Sequence, residues 1–217
     1  MNDYIDNYCE RIEPGLWAEP LNAVTNLGFL IGAVLVWRLA RREQRLTPSV
    51  MLLVSFLVAI CIGSGLFHTF ATGWAQLLDV VPIGIFQVTF LWLYLRRIID
   101  LRWLPALAIM AAFFASGWLA GQFPHLLNGS LGYAPALLFI GGLAIWHRQH
   151  CAREPNALLL ALMLFSIALT FRTMDQAICP YWPIGTHFFW HLCNSGVLYL
   201  SMRGLILNLG RYPLRHR

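Results

Sequence analysis

The chain has 217 residues, of which 59% are hydrophobic and 12% are charged, and its mean hydropathy is +0.62. Soluble domains are usually about one quarter charged, so this composition excludes a single soluble core and indicates an integral membrane protein. The net charge of +5 could suggest nucleic acid, but the placement of the arginines explains it better as membrane orientation.

Seven apolar segments are each close to the roughly 20 residues that a helix needs to cross a bilayer. They cover residues 21–39, 49–68, 77–95, 103–122, 133–147, 157–174 and 185–207. Alternating strands of the kind that build a small barrel are not evident. The sequence therefore predicts an all-α integral membrane protein with a seven-transmembrane helix bundle. Residues 1–20 are an acidic segment outside the cytoplasm, 21–207 the transmembrane domain, and 208–217 a basic cytoplasmic tail.

The arginines predict the direction of the bundle, because positive residues stay in the cytoplasm. All fifteen basic residues are arginine, and only Arg11 and Arg172 lie near the start of the first segment or the end of the sixth. The others follow the first, third, fifth and seventh segments. We therefore expect an N-terminus outside and a C-terminus in the cytoplasm.

Five ionisable or nucleophilic side chains fall at one depth, in the outer half of the predicted bundle. They are Ser64, His68, Asp79, His187 and His191. Residues four apart share one helix face, so Ser64 with His68, and His187 with His191, can point into the bundle together. Three imidazoles with one open position are typical of catalytic zinc, which lowers the pKa of a bound water to roughly 7. Asp79 could accept the proton, and Ser64 could donate to an oxyanion.

Each of these residues also has a structural interpretation. A histidine in a membrane helix is often a hydrogen-bonding partner, Ser64 could line a tight helix contact, and Asp79 could cap the third helix. Their co-location on three segments favours a metal site, because charged groups within spans are costly and usually functional. We interpret the remaining histidines as solvated: His125, His147, His150 and His216.

The motifs GSGLFHTF, LLDVVPI, FRTMDQAIC and GTHFFWHLCNS, in this order, resemble the alkaline ceramidase family, and so does the N-terminal YCER…WAEPLNAVTN. That family belongs to the CREST superfamily of seven-transmembrane hydrolases, and the N-terminal motif resembles its bacterial members in particular. The resemblance implies zinc ligands at His68, His187 and His191, a catalytic Asp79, and an oxyanion-stabilising Ser64.

The implied activity is that of a zinc-dependent intramembrane lipid amide hydrolase. A zinc-bound water would attack the amide of a ceramide-type N-acyl sphingoid lipid and release free fatty acid and amine. The expected partners are a long-chain N-acyl lipid and the surrounding membrane lipids, without nucleic acid. The expected location is a bacterial inner membrane, with residues 21–207 as the hydrolase domain and the active site toward the periplasm.

The resemblance also implies a calcium (Ca2+) site, because family members bind that ion through Asp-Trp-Cys-Glu-x-Asn and a later Glu. Here the text reads DNYCERI…WAE. Asp6, Glu10 and Glu19 are the candidate ligands, since acidic loops suit calcium. Asp6 is displaced by one residue, however, and Ile12 replaces the Asn, so an acidic, solvated segment is the alternative.

Two residue pairs complete the predicted site. Cys9 and Cys179 are the cysteines expected outside the cytoplasm, where disulfides persist, and the resemblance also favours a Cys9–Cys179 disulfide. Arg172 and Asp175 are three residues apart, so they could form a supporting ion pair on one helix face.

Three other functions compete with the hydrolase. A receptor-like or binding protein of the adipoQ-receptor type is expected to have its N-terminus inside, opposite to the arginine pattern. A metal or proton transporter also uses membrane His and Asp, but repeats and broken helices are not evident. A rhomboid-like protease needs Gly-x-Ser-Gly, and Ile62 stands at the first position here.

Overall fold

The computed structural model describes residues 3–210, and within that range it contains α-helices and no β-strand. The helices are α1 Pro20–Thr25, α2 Leu27–Arg42, α3 Pro48–Phe70, α4 Gly73–Arg97, α5 Trp103–Gly121, α6 Ala134–His150, α7 Ala157–Ile178 and α8 His187–Asn208, with a 3₁₀ turn at Ser130–Tyr133. Each predicted apolar segment coincides with one long helix, and α1 with α2 forms the first. The all-helical prediction is therefore confirmed for these residues.

Within residues 3–210, six stretches are long and apolar enough to cross a membrane, which makes the chain a multi-pass membrane protein. They are Pro20–Arg42, Pro48–Phe70, Gly73–Arg97, Trp103–Gly121, Ser130–His150 and Ala157–Ile178. Helix α8 has 22 residues and, at 1.5 Å per residue, a comparable length of roughly 33 Å. It is not one of these six stretches, and it carries the histidine pair in its first two turns.

The helix ends follow from local sequence. Pro48 begins α3 at a position where its missing N–H costs nothing, and the Thr47 side chain accepts the Val50 N–H at 3.3 Å. The same helix ends at Ala71, which adopts a left-handed conformation with φ 47°. A tight turn there lets α4 start at Gly73 and pack along α3 in the opposite direction.

The bundle has two chemically different ends. We call the end that holds His68 of α3 and His187 of α8 the histidine end. The opposite end, which we call the arginine end, carries ion pairs between Arg203 and Glu154 and between Arg153 and Glu43. Of the predicted basic tail, residues 208–217, the structure describes only 208–210. Arg211, Arg215, His216 and Arg217 lie outside the described residues.

The segment from residue 3 to residue 19 lies across the histidine end. Its Ile5 N–H donates to the Ala71 carbonyl oxygen at 2.8 Å, and the Gln176 side chain donates to the Asn7 carbonyl oxygen at 2.7 Å. The predicted disulfide between Cys9 and Cys179 is present, with their Cα atoms 5.3 Å apart. The N-terminal segment is thus held against both α3 and α7.

Candidate metal centre

Three buried histidines converge at the histidine end. His68 comes from the last turns of α3, whereas His187 and His191 come from the first two turns of α8, one turn apart. One ring nitrogen from each lies within 4.8 Å of the others, which makes this a group that could hold a metal ion. The structure therefore brings together all three residues that the sequence predicts as metal ligands.

Neighbouring side chains determine which ring nitrogen faces the cluster. The carboxylate of Glu19 only accepts, so His68 Nδ1 donates to it at 2.5 Å. Thr25 Oγ1 donates to the Leu21 carbonyl oxygen at 2.8 Å and therefore accepts from His191 Nδ1 at 3.0 Å. In both rings the other nitrogen, Nε2, is left for the cluster, and these two Nε2 atoms are 3.1 Å apart.

This arrangement fits a bound metal ion. Two nitrogen lone pairs that face each other at such a distance repel unless a proton or a cation lies between them. The third ring, that of His187, has a buried Nδ1 without a hydrogen-bond partner among residues 3–210. Metal-binding histidines usually donate their second ring N–H to a carboxylate or another acceptor, as His68 and His191 do here. Imidazole nitrogens suit zinc and related transition metals.

Ser64 and Asp79 lie in the region where α3 packs on α4. Ser64 lies one turn before His68 and is buried, and the neighbouring Gly63 packs against the backbone of Leu78 and Asp79. Gly63 makes this approach possible, because a Cβ atom there would overlap the backbone of Leu78 and come within 3.2 Å of the Asp79 nitrogen. The predicted catalytic pair is thus placed beside the first predicted metal ligand.

Asp175 caps the helix that carries two of the histidines. Its carboxylate accepts the backbone N–H groups of Thr186 at 2.6 Å, His187 at 2.9 Å and Cys9 at 3.0 Å. A carboxylate at a helix N-terminus is favoured by the helix dipole. The predicted ion pair between Arg172 and Asp175 is therefore wrong: both oxygens of Asp175 are engaged by backbone donors, and Arg172 turns toward other partners.

The predicted calcium ligands do not form a cluster in the described part of the chain. Asp6 is exposed, and the two oxygens of Glu10 accept the N–H groups of Leu21 at 2.6 Å and Asn22 at 2.8 Å. Glu19 instead faces the buried guanidinium of Arg11, whose Nε donates to it at 2.5 Å. The Glu19 carboxylate is thus paired with a guanidinium, and the calcium site stays a prediction.

Arg11 is also anchored to α3, because its Nη2 donates to the carbonyl oxygen of the candidate metal ligand His68 at 2.8 Å. Burial alone would raise the pKa of Glu19, but hydrogen bonds and charge from His68 and Arg11 outweigh it and lower that pKa. Glu19 is therefore ionised at neutral pH. Its role as the acceptor for a metal ligand was missed in the sequence, where it looked like a calcium ligand.

Tyr8, in the N-terminal segment, covers the group of His68, His187 and His191, which we call the metal cluster because it could hold a metal ion. Its ring stacks on the His187 imidazole, with the ring centroids 3.7 Å apart. Burial raises the pKa of Tyr8, so its phenol stays protonated at neutral pH. The sequence contained one usable signal for this residue, namely its position next to Cys9, which the disulfide ties to the histidine end.

An apolar cavity lies inside the bundle, beneath the metal cluster. Its volume is about 100 Å3, and all seven long helices contribute lining residues. Most of these are aliphatic or aromatic, such as Phe86, Phe90 and Leu143. Trp190 and Asn194 of α8 also line it, and they lie next to His191 along the helix. The cavity therefore reaches the same part of α8 as His191.

At the arginine end, the prediction that His147 is solvated is wrong. It is fully buried, its Nδ1 pairs with the Tyr94 hydroxyl at 2.5 Å, and its Nε2 contacts the Glu154 carbonyl oxygen at 3.1 Å. The close packing of Gly204 against the ring completes this burial. The position among arginines gave no sign of these contacts, because they come from other helices.

Comparison with protein-family models settles the relationship that the motifs indicate. The ceramidase family model matches residues 6–208. The chain belongs to the ceramidase family. The match covers the N-terminal segment, the metal cluster and every helix, and it makes the chain a ceramidase-like hydrolase of a metal-dependent family with lipid substrates. Comparison with curated proteins gave no match.

Proposed function

We propose that this member of the ceramidase family is a zinc-dependent amide hydrolase that cleaves ceramide-type N-acyl lipids to fatty acid and amine. The observation that carries the proposal is the convergence of His68, His187 and His191 in a buried cluster. Glu19 and Thr25 support it, because they leave ring nitrogens directed at a common centre. Three histidines with one open position are the ligand set of many catalytic zinc sites.

The protein side chains supply the remaining chemistry. A zinc ion, when bound, would polarise the amide carbonyl and favour the ionisation of water. Asp79 takes the proton of the attacking water and passes it to the leaving amine. Ser64 donates its O–H to the carbonyl oxygen as negative charge develops there. Tyr8 and the N-terminal segment exclude bulk water from this side of the cluster.

The apolar cavity provides the site for the acyl chain. Sites for apolar ligands combine apolar walls with a few polar groups. The cavity has this composition, since its walls are apolar and its polar members include Asn194 and Gln87. A lipid that enters from the bilayer can thus place its chain among the helices and its amide at the histidine end.

We also propose that α8 is the seventh span and that the N-terminal segment, residues 1–20, lies outside the cytoplasm. The clustering of arginines at the arginine end supports this orientation. In a bacterial cell, the hydrolase domain, residues 21–207, would then face the periplasm with its metal cluster. Cysteine labelling at Asn2 and at residue 216 in intact cells tests the orientation, and a cytoplasmic Asn2 would favour the adipoQ-receptor type of function instead.

Metal analysis combined with turnover tests the proposed chemistry. We expect about one zinc per chain in the purified protein and hydrolysis of a fluorescent N-acyl sphingoid lipid. His187→Ala should lose both, because one of three ligands is missing. His150→Ala is the matched control, since His150 is exposed at the arginine end. Retained zinc and turnover in His187→Ala would contradict the proposed mechanism.

A further inference from the structure

A second pocket lies at the histidine end, and the proposed mechanism does not use it. Its volume is about 310 Å3, and its lining includes Asn7, Tyr8, His125, Asn128 and Arg172. Tyr8 is the wall between this pocket and the metal cluster, because its ring also stacks on His187. A molecule in the pocket would therefore lie within one aromatic ring of the metal ligands.

Arg172 brings an incompletely used guanidinium to this pocket. Its Nη1 donates to the Asn128 carbonyl oxygen at 2.7 Å and to Ser130 Oγ at 2.9 Å. Within residues 3–210, Nε is buried without a hydrogen-bond partner, Nη2 makes no hydrogen bond, and no carboxylate forms a salt bridge with the group. Nε and Nη2 are the donor pair that binds the two oxygens of a carboxylate or phosphate.

The guanidinium is already held in position for such a ligand. It lies over the ring of Tyr133 at 5.1 Å and over that of Trp190 at 5.9 Å. Little ordering of the side chain remains to be done on binding, which favours affinity. Tyr133 and Trp190 also line the apolar cavity. The same two rings thus separate a site for a charged group from a site for a hydrocarbon chain.

The distribution of charge points to an anion. Of the two arginines at the histidine end, Arg11 is paired with Glu19, whereas Arg172 forms no salt bridge among the described residues and has Asp79 only as a more distant opposite charge. A partly buried charge without a directly paired carboxylate is costly, and an anionic ligand would reduce that cost. The neighbouring polar groups of Asn7 and His125 can add hydrogen bonds to the same ligand.

We propose that this Arg172 pocket binds an anionic oxygen-bearing group of a lipid, a phosphate or carboxylate, while the lipid's chain occupies the apolar cavity. Two lipids share this chemistry: an N-acyl substrate with an anionic head group on its amine portion, and the fatty acid that hydrolysis releases. The identification as substrate or product rests on the proposed function, whereas binding of the anion does not.

Binding is tested first, without turnover. Purified protein in non-ionic detergent is titrated with dodecyl phosphate, dodecanoate and neutral dodecanol, and its melting temperature is measured. We expect the two anions to stabilise the wild type and Arg172→Gln to weaken their binding about 10- to 100-fold, as expected for hydrogen bonds to a charged group. Arg172→Lys should lie between them, because it keeps the charge but not the fork. Arg148→Gln, exposed at the arginine end, should bind like the wild type.

A second variant protects the test against misfolding of Arg172→Gln. Asn7 is exposed and lines the pocket, so Asn7→Asp should fold and repel an anionic ligand. Equal binding of dodecyl phosphate and dodecanoate by wild type, Arg172→Gln and Asn7→Asp would overturn the proposal. Binding of dodecanol as tight as that of the anions would overturn it as well.

Turnover then distinguishes the two sources of the anion. The assay compares N-acyl amines of equal chain length, one with a phosphate and one with a hydroxyl on the head group. If the head group is the ligand, Arg172→Gln raises KM about tenfold or more for the phosphate substrate and leaves the neutral one unchanged. If the fatty acid is the ligand, the variant instead relieves inhibition by product. Arg172-dependent binding without any amide hydrolysis would refute the proposed function and leave the anion site standing.

Discussion

Removal of the Asp175 carboxylate is expected to disturb both the stability and the metal affinity of the protein. In Asp175→Ala, three backbone N–H groups, those of Thr186, His187 and Cys9, lose their acceptor. A buried donor without a partner costs about 1–3 kcal/mol, so even the low end gives a loss of about 3 kcal/mol. For a soluble chain of this size, about 2–4 °C of melting temperature correspond to 1 kcal/mol, which predicts a decrease of roughly 6–12 °C.

Asp175→Asn provides a graded comparison. Oδ1 accepts from both Thr186 and His187, whereas Oδ2 accepts only from Cys9. An amide oxygen in the place of Oδ1 keeps two of the three hydrogen bonds, so the loss should be about one third of that in Asp175→Ala, plus about 0.3–1 kcal/mol for the lost charge at the helix N-terminus. Zinc content should follow the same order, because His187 begins the capped helix.

The assay is thermal unfolding in detergent micelles, followed by tryptophan fluorescence, with zinc measured by elemental analysis on the same samples. Asp3→Ala serves as the control, since Asp3 is exposed. Asp175→Ala could instead melt within about 2 °C of the wild type and keep its zinc. The cap would then contribute less than about 1 kcal/mol to stability, which is less than the cost of one buried donor without an acceptor. The reasoning from buried donors would then be refuted.

Three further changes test separate parts of the structure. Glu19→Gln removes the charge that orients His68 and should weaken zinc binding about 10- to 100-fold, measured by competition with a chelating dye. Gly63→Ala pushes a methyl group against the backbone of α4 and should cost about 1–3 kcal/mol in thermal stability together with most of the activity. The hydrogen bond and charge of Arg203 hold the pKa of Glu154 below its ordinary value. The stability that wild type has over Glu154→Gln should therefore be full at neutral pH, begin to fall near the ordinary pKa of Glu, about 4.3, and disappear as the pH falls through the lowered pKa in acid-unfolding curves.

Each of these variants has a matched control. Glu13→Gln alters an exposed carboxylate in the same N-terminal segment, and its zinc affinity should equal that of the wild type. Gly65→Ala places its methyl group where no atom lies within 4 Å, so a loss equal to that of Gly63→Ala would contradict the packing argument. Asp100→Asn, at an exposed position, should leave the acid transition unchanged. Acid-unfolding curves of wild type and Glu154→Gln that differ by the same amount, or not at all, at every pH would contradict the proposed ion pair.

Much of the architecture follows from the hydropathy and length of the apolar segments, because a helix that crosses a bilayer must be apolar over its whole course. The same rule made the ionisable residues conspicuous. His68, His187 and His191 could be grouped from sequence, since their spacing and the alternating direction of the helices place them at one end. The disulfide followed similarly from the placement of Cys9 and Cys179.

The errors concern partners that lie on other parts of the chain. Spacing along one helix suggested that Asp175 pairs with Arg172, but the unsatisfied N–H groups at the start of α8 bind the carboxylate more strongly than a neighbouring side chain would. The contacts of Glu19 with Arg11 and His68 were not predicted either, because those residues are distant along the chain or in another segment. His147 looked solvated because nothing local reveals its contact with Tyr94. Which side chains pair across helices depends on how the helices pack, and the residue pattern along one helix does not determine that.

The topology of the metal cluster has a consequence for biosynthesis. Glu19 and His68 precede Asp175, Cys179 and the two histidines of α8 along the chain, so they are translated first. The three imidazoles can come together only after α8 has been made and has docked in the bundle. Under the proposed function, activity would therefore be acquired late, when α8 docks and oxidation joins Cys9 to Cys179.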